Sequence, residues 1–250
     1  MFGPEGPSLR ELAVQALSSV EHGYDLLAPK FDHTPFRTPD EVLRSVAKAL
    51  APFGPFEDGL DLCCGTGAGA EVLAGLCRRS LTGVDFSAGM LDVARHRAGP
   101  AGGPGVAWVR GDARALPFRS AFDLVVSFGA FGHFLPDELP GLFAQVHSVL
   151  RPGGRFAFPV LAPPRPTQAG FWMLLGFDTV MRVRNALWRP PFVMYYRAFR
   201  LGCVLGELER AGFTVDLCAL PEFGRRGDGS PRARLVVAGR AQPAAGSVNS

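Results

Sequence analysis

The feature that restricts this chain most is a glycine turn set between an apolar run and a run of helical period. "GLDLCC", Gly59 to Cys64, leads into Gly65-Thr66-Gly67-Ala68-Gly69-Ala70, and "GAEVLAGLCRR" continues directly from it. Glycines so spaced let a chain leave a strand sharply and bring helix backbone close to a ligand. Asp61 stands just before the turn. From here apolar runs alternate with helical periodicity. "GLDLCC" reads as a first buried strand and "GAEVLAGLCRR" as a helix. "SLTGVDF" is a second strand, "SAGMLDVARHRA" a second helix capped by Ser87. "VAWVRGD" and "FDLVVSFG" are the third and fourth strands. "PDELPGLFAQVHSVL" is a helix stopped by Arg151-Pro152-Gly153-Gly154, and "GRFAFPVLA" is the fifth strand. After a proline-rich break, "LGCVLGELERAGF" reads as a late helix, with "TVDLCAL" and "ARLVVAGR" as final strands. Such alternation predicts an α/β fold with a mainly parallel sheet and helices on both faces. Its ligands bind beyond the carboxyl ends of the strands. The first 50 residues read as helical ("LRELAVQALSSV", "PDEVLRSVAKAL") and pack beside that edge.

The remaining composition narrows the class. The 250 residues suit one domain and can bury a core without disulfides. A net charge of +3 is too weak to argue for nucleic acid. Five scattered cysteines include no Cys-x-x-Cys pair, so no zinc site is expected, and they suit a reducing cytoplasm. The N-terminus does not read as a signal peptide. The longest candidate span, "AGFWMLLGF", falls far short of the roughly 20 residues a membrane helix needs.

Two ligand classes use a glycine turn after a first strand. A dinucleotide places its pyrophosphate on the helix N-terminus. S-adenosylmethionine carries no phosphate, but has an ammonium, a carboxylate and a sulfonium. A carboxylate such as Asp61 repels the first and attracts the second in a partly desolvated site. The plain alternative is a tight turn without a ligand. Asp85, ending "LTGVD", follows Gly67 by 18 residues, near the spacing of an acid that holds ribose hydroxyls. That acid serves either ligand. Asp112 after the third strand can accept from an adenine amino group, and Ala113 can offer its N–H to a ring nitrogen. The alternative for Asp112 is a solvated turn acid.

Taken in order, "LDLCCGTGAG", "VDFSAGML", "GDARALPF", "FDLVVSFGAFGHF" and "VLRPGGRF" resemble a class I S-adenosylmethionine-dependent methyltransferase of the small-molecule type, over about residues 58–160. The resemblance implies a Rossmann-like sheet of seven strands whose last strand inserts antiparallel. S-adenosylmethionine is then the cofactor and S-adenosylhomocysteine its product. By the same resemblance Asp61, Cys63, Gly65, Thr66 and Gly67 border the methionyl end, and Asp85 binds the ribose. Phe86 and Met90 pack on adenine, and Asp112 and Ala113 face its edge. Ser127 and Phe128 lie near the ammonium and the transfer path. Cys63 stands where the family often has glycine. "YDLLAPKFDH" resembles the N-terminal cover of small-molecule members, with Tyr24 closing over the cofactor; a surface or core tyrosine is the alternative. "VDFSAGML" with "GDARALPF" and "VVSFG" is also similar to quinone C-methyltransferases, although "FGAFGHF" replaces their usual Arg-Asn pair. A nicotinamide-dependent oxidoreductase and a non-catalytic cofactor binder stand as the alternatives of another class.

Methyl transfer needs chiefly alignment of the reacting atoms. A base is needed only where the acceptor carries a proton to remove. His133, in a glycine-flanked loop past the fourth strand, is the candidate catalytic residue. A loop histidine capping a carbonyl is its alternative. His147 within a helix reads as structural. No metal is expected: Ser127 stands where a magnesium-dependent enzyme would need an acid.

As one domain over 1–250, the chain divides into a helical cover over 1–57, a cofactor-binding core over 58–160, a lid or acceptor insertion over 161–200, and a last helix with strands over 201–240. The insertion is rich in aromatics, methionines and arginines. It reads as an inserted lid after the fifth strand that shapes the pocket for a small apolar or aromatic acceptor. A helix pair completing the core and a face for peripheral membrane contact are the alternatives.

Overall fold

The computed structural model describes residues 5–34, 36–97, 104–162, 166–167, 169–187 and 201–242. Three helices come first: α1 (Leu9–Leu17), α2 (Val20–Leu27) and α3 (Asp40–Leu50). The single helix expected over Leu9–Val20 splits in two. Ser18 closes α1 in an extended conformation, and the Ser19 hydroxyl accepts from the His22 N–H to start α2. Then follow β1 (Phe56–Leu62), α4 (Ala68–Ala74), β2 (Cys77–Asp85), α5 (Ala88–His96), β3 (Val106–Arg110), β4 (Phe122–Val126), α6 (Leu139–Val149) and β5 (Leu150–Leu161). After these come α7 (Ala169–Leu187), α8 (Leu201–Arg210), β6 (Phe213–Ala219) and β7 (Ala233–Arg240).

Two boundaries differ from the sequence reading. α4 stops at Ala74, so Cys77–Arg79 belong to β2 and not to a helix. There the Arg79 guanidinium grips Asp58 of β1 while Cys77 turns inward. β5 begins at Leu150, so Arg151–Gly154 are strand, with Gly153 at a φ of 81°. The cap at Ser87 is present: its hydroxyl accepts from the Met90 N–H at 3.1 Å.

The seven strands lie in the order β3-β2-β1-β4-β5-β7-β6. Pairs along β1 to β5 are parallel, and β7 runs antiparallel to both β5 and β6. Side chains alternate across the sheet. Leu60, Val125 and Phe156 face α6 and α8, while Leu124, Val126 and Ala157 face α3 and α4. Burying each such side chain contributes about 1.5–3 kcal/mol. Asp61 pairs in register with Gly83 of β2 and Val126 of β4. The carboxyl ends of three adjacent strands therefore bring Asp61, Asp85 and Ser127 to one edge.

Of the 161–200 segment, α7 is described, and residues 188–200 lie outside the described residues. Met181 of α7 is buried with Tyr24, Ala28 and Met90 in a small third cluster. Arg184 donates to the Ser18 carbonyl at 3.0 Å, which ties α7 to the end of α1. No helix among the described residues is long and apolar enough to cross a membrane.

Candidate cofactor site

The turn after β1 carries three positive φ angles: Cys63 at 58°, Gly65 at 51° and Gly67 at 85°. Cys63 thus holds, as a non-glycine residue, the left-handed conformation that explains why glycine suits its position. Each glycine has its own reason. A side chain on Gly67 would meet Trp108 at 2.7 Å, so Gly67 serves packing beneath the turn. A side chain on Gly69 would lie 2.4 Å from Asp61 Oδ2. Gly65 has open space within 4 Å of where a Cβ would stand.

Asp85 fixes the turn from β2. Its Oδ2 accepts from the Gly65 N–H and its Oδ1 from the Ser87 N–H, each at 2.9 Å. Burial raises its pKa against the pull of those bonds. Asp61 is 1% exposed, and its Oδ2 has no hydrogen-bond partner. Burial, and then the nearby Asp85 charge, push its pKa up to about 8. Such an orphaned buried oxygen is a strong acceptor waiting for a donor.

A pocket opens over this oxygen. Asp61, Cys63, Gly65, Thr66 and Phe128, all anticipated from the sequence, line it. So do Cys64, Ala68 and Gly69, and four residues from the N-terminal cover: Phe31, Phe36, Arg37 and Thr38. Phe31 falls in "YDLLAPKFDH", the stretch read as the cover, while Phe36, Arg37 and Thr38 were not anticipated, since nothing local in "TPFRTPD" announces them. Among the lining residues, Arg37 is the one cation and Asp61 the one acid. Arg37 pairs with Asp40 at 2.7 Å, at the start of α3. The cover is tied to the turn: Thr66 Oγ1 donates to Asp32 at 2.7 Å, and Arg97 grips both Asp32 and the Thr66 carbonyl. Burial keeps the Cys63 and Cys64 thiols well above their ordinary pKa, so neither is a thiolate nucleophile.

The other anticipated residues, Tyr24, Gly67, Asp85, Phe86, Met90, Asp112, Ala113, Ser127 and His133, are not among the lining of this pocket. Met90 is buried beneath Tyr24, and the Tyr24 and Phe86 rings stand 6.3 Å apart. The Tyr24 hydroxyl lies 3.0 Å from His133 Nε2, with the rings at 89°. His133 thus meets the N-terminal cover, a juxtaposition the sequence does not foretell. The Ser127 hydroxyl donates to the Leu62 carbonyl, locking β4 to β1. Asp112 is clasped by Arg114, at 3.0 Å from Nε and 2.7 Å from Nη2. Burial works to raise the Asp112 pKa, but Arg114 outweighs it and holds the carboxyl below its ordinary value. Ala113 is buried in the core. His147 packs edge-on against Phe213, a structural placement. Among the described residues, no three His, Cys, Asp or Glu side chains gather into a group that could hold a metal.

Residues 60–154 match the family described as "Methyltransferase domain". An uncharacterized methyltransferase of Synechocystis sp. is 32% identical over 163 residues, 64% of this chain and 68% of that protein. The chain belongs to the class I S-adenosylmethionine-dependent methyltransferases. This methyltransferase is also 34% identical over 152 residues to the 2-phytyl-1,4-naphtoquinone methyltransferase of Thermosynechococcus vestitus, covering 56% of this chain and 64% of that one. The matches span 40% to 68% of the lengths of the first curated relatives. A solved methyltransferase from Methanosarcina mazei shares the fold at a TM-score of 0.57 and 18% identity, over 76% of this chain and 95% of that one.

The family's cofactor is S-adenosylmethionine. The residues fit it: an unpartnered carboxyl oxygen suits an ammonium, Arg37 suits a carboxylate, and the side-chain-free backbone at Gly65 leaves room for a close approach. The family match, more than the charge of the pocket, favours this cofactor over a dinucleotide.

Proposed function

We propose that this methyltransferase acts on a small apolar aromatic acceptor bearing a phenolic or quinol hydroxyl. S-adenosylmethionine supplies a methyl carbon already activated by its sulfonium. The chain's own work is to bind, orient and move a proton. Asp61 accepts from the ammonium and Arg37 donates to the carboxylate. Asp85, already fixed by the Gly65 and Ser87 N–H groups, accepts from the ribose hydroxyls. Phe86 and Met90 support adenine, and Asp112 and Ala113 meet its edge. The pairing of Asp61 and Arg37 in one pocket is the observation that carries the cofactor half of this reading.

For the acceptor, the supporting observation is the Tyr24–His133 contact. His133 Nε2 already meets a phenol, and the same atom can take the proton of an acceptor hydroxyl. Phe31, Phe36 and Phe128 give the pocket an aromatic wall. The relatives named for naphthoquinone and for ubiquinone and menaquinone methylation favour a quinone-type ring. Turnover with matched phenols, reduced naphthoquinones and amines tests the proposal. Phenols or quinols should be methylated and amines should not. His133→Ala should slow turnover by about 100-fold or more, remove the rising limb of the pH profile, and leave S-adenosylhomocysteine affinity intact. Turnover of amines alone, or an unchanged profile in the variant, rejects the reading.

A further inference from the structure

We propose that Asp32 is a latch that holds the cover down on the glycine turn, and that its release sets the rate at which cofactor and product exchange. The cover reaches the pocket through Phe31, Phe36, Arg37 and Thr38, all of them half-buried. α2 is seated on α5 through Asp25, and the stretch beyond α2 has a separate tie. Its short helical turn, Ala28–His33, carries Asp32. Asp32 Oδ1 accepts from the Thr66 hydroxyl at 2.7 Å, across 34 residues of sequence, and Oδ2 accepts from Arg97. Arg97 closes α5; its Nε donates to the Thr66 carbonyl at 3.0 Å, and its Nη1 reaches Glu71 at 3.3 Å. Arg37 Nε stands 3.7 Å from Asp32 Oδ1. One carboxylate thus joins the cover, the glycine turn and the end of α5.

The tie is polar and small. The Asp32 and Arg97 side chains are 33% and 24% exposed, so water and salt reach the pair. Contacts of this kind give way by local opening, well before the sheet beneath them does. Neither side chain lines the pocket, yet Phe31 beside Asp32 does, and so does Thr66, its partner in the turn. The latch rests on the cofactor reading, in which Asp61 of β1 and Arg37 of the cover grip the ammonium and the carboxylate of one ligand. A ligand held from two sides leaves as those sides part, and the charge-assisted bonds of Asp32 resist the parting.

The test is the release of labelled S-adenosylhomocysteine chased with excess unlabelled ligand, with no acceptor present. Asp32→Ala and Arg97→Met should each speed release about tenfold or more, the effect of losing one charge-assisted hydrogen bond. The same opening admits the ligand, so association should quicken too and Kd should rise by less than the release rate. The double variant should release no faster than the faster single variant, because both substitutions break one latch. Added salt should speed release from the wild type more than from either variant. Circular dichroism checks the fold, and Arg97→Met keeps the test decisive if Asp32→Ala does not fold. Arg37→Ala separates the latch from the reading it rests on: unchanged affinity in that variant rejects the reading of the pocket. Unchanged release in Asp32→Ala and Arg97→Met overturns the latch. So does a double variant whose effect is the product of the two single effects, which would make the residues independent.

Discussion

A buried carboxyl with one oxygen unpartnered costs the fold stability whenever it is ionised. For Asp61 the folded pKa is about 8, against an ordinary 3.8. The folded state then binds more protons than the unfolded state between those values, so this group lowers stability as pH rises from about 4 to about 8. Asp61→Asn should raise the melting temperature of the ligand-free protein at pH 8, by about 2–4 °C for each 1 kcal/mol recovered. The difference should vanish near pH 4. The same substitution should weaken S-adenosylhomocysteine binding. In the wild type an arriving ammonium should re-ionise Asp61, so calorimetry at pH 7 in buffers of different ionisation enthalpy should register proton release. Affinity should rise with pH up to about 8, where an α-amino group begins to lose its own charge. Arg37→Ala should weaken the same ligand but not its decarboxylated analogue. No proton release, with unchanged affinity in Asp61→Asn, would detach Asp61 from the ammonium.

Between elements, the contact that most directly seats the cover is that of α2 on α5. Asp25 accepts from the Ser87 hydroxyl at 2.6 Å and from the Gly89 N–H at 2.9 Å. A side chain on Gly89 would come within 3.0 Å of the Asp25 backbone, so the two helices touch here. Asp25→Ala leaves a buried donor unsatisfied, at a cost of about 1–3 kcal/mol. Hydrogen exchange over residues 20–33 should accelerate by about 5- to 150-fold, while β7 amides keep their protection. Unchanged exchange would mean that the Tyr24, Met90 and Met181 cluster holds the cover alone. Element existence was legible because buried strands and amphipathic helices carry their own period. Element ends were less so. "LCRR" continues a helical pattern, yet Arg79 belongs to β2, where Asp58 offers an ion-pair partner.

At the scale of the molecule, the cover, the glycine turn and the strand edge enclose one pocket, so ligand occupancy should stabilise the whole fold. S-adenosylhomocysteine at about 100 times its Kd should add about 2.7 kcal/mol. That corresponds to a rise in melting temperature of about 5–11 °C for a chain of this size. Differential scanning fluorimetry checks it, with NAD as the control expected to give no shift. Equal shifts with both ligands would contradict the cofactor assignment drawn from Asp61.

The sequence by itself determined the alternation of strands and helices that makes a mainly parallel sheet, the glycine turn, and the acids at the ends of β1, β2 and β3. Each of these is local: a period, a spacing or a cap read within a few residues. Only the tertiary structure decided what those residues meet. Asp61 and Arg37 share a pocket across the fold, and Tyr24 reaches His133 over a separation of 109 residues. Asp112, an open acid in the sequence, is held by Arg114, which also pairs with Glu138. Gly67 is needed because Trp108 lies against it. Partners of this kind depend on which faces of distant elements are pressed together, and hydrophobic periodicity specifies that a face is buried without naming what covers it.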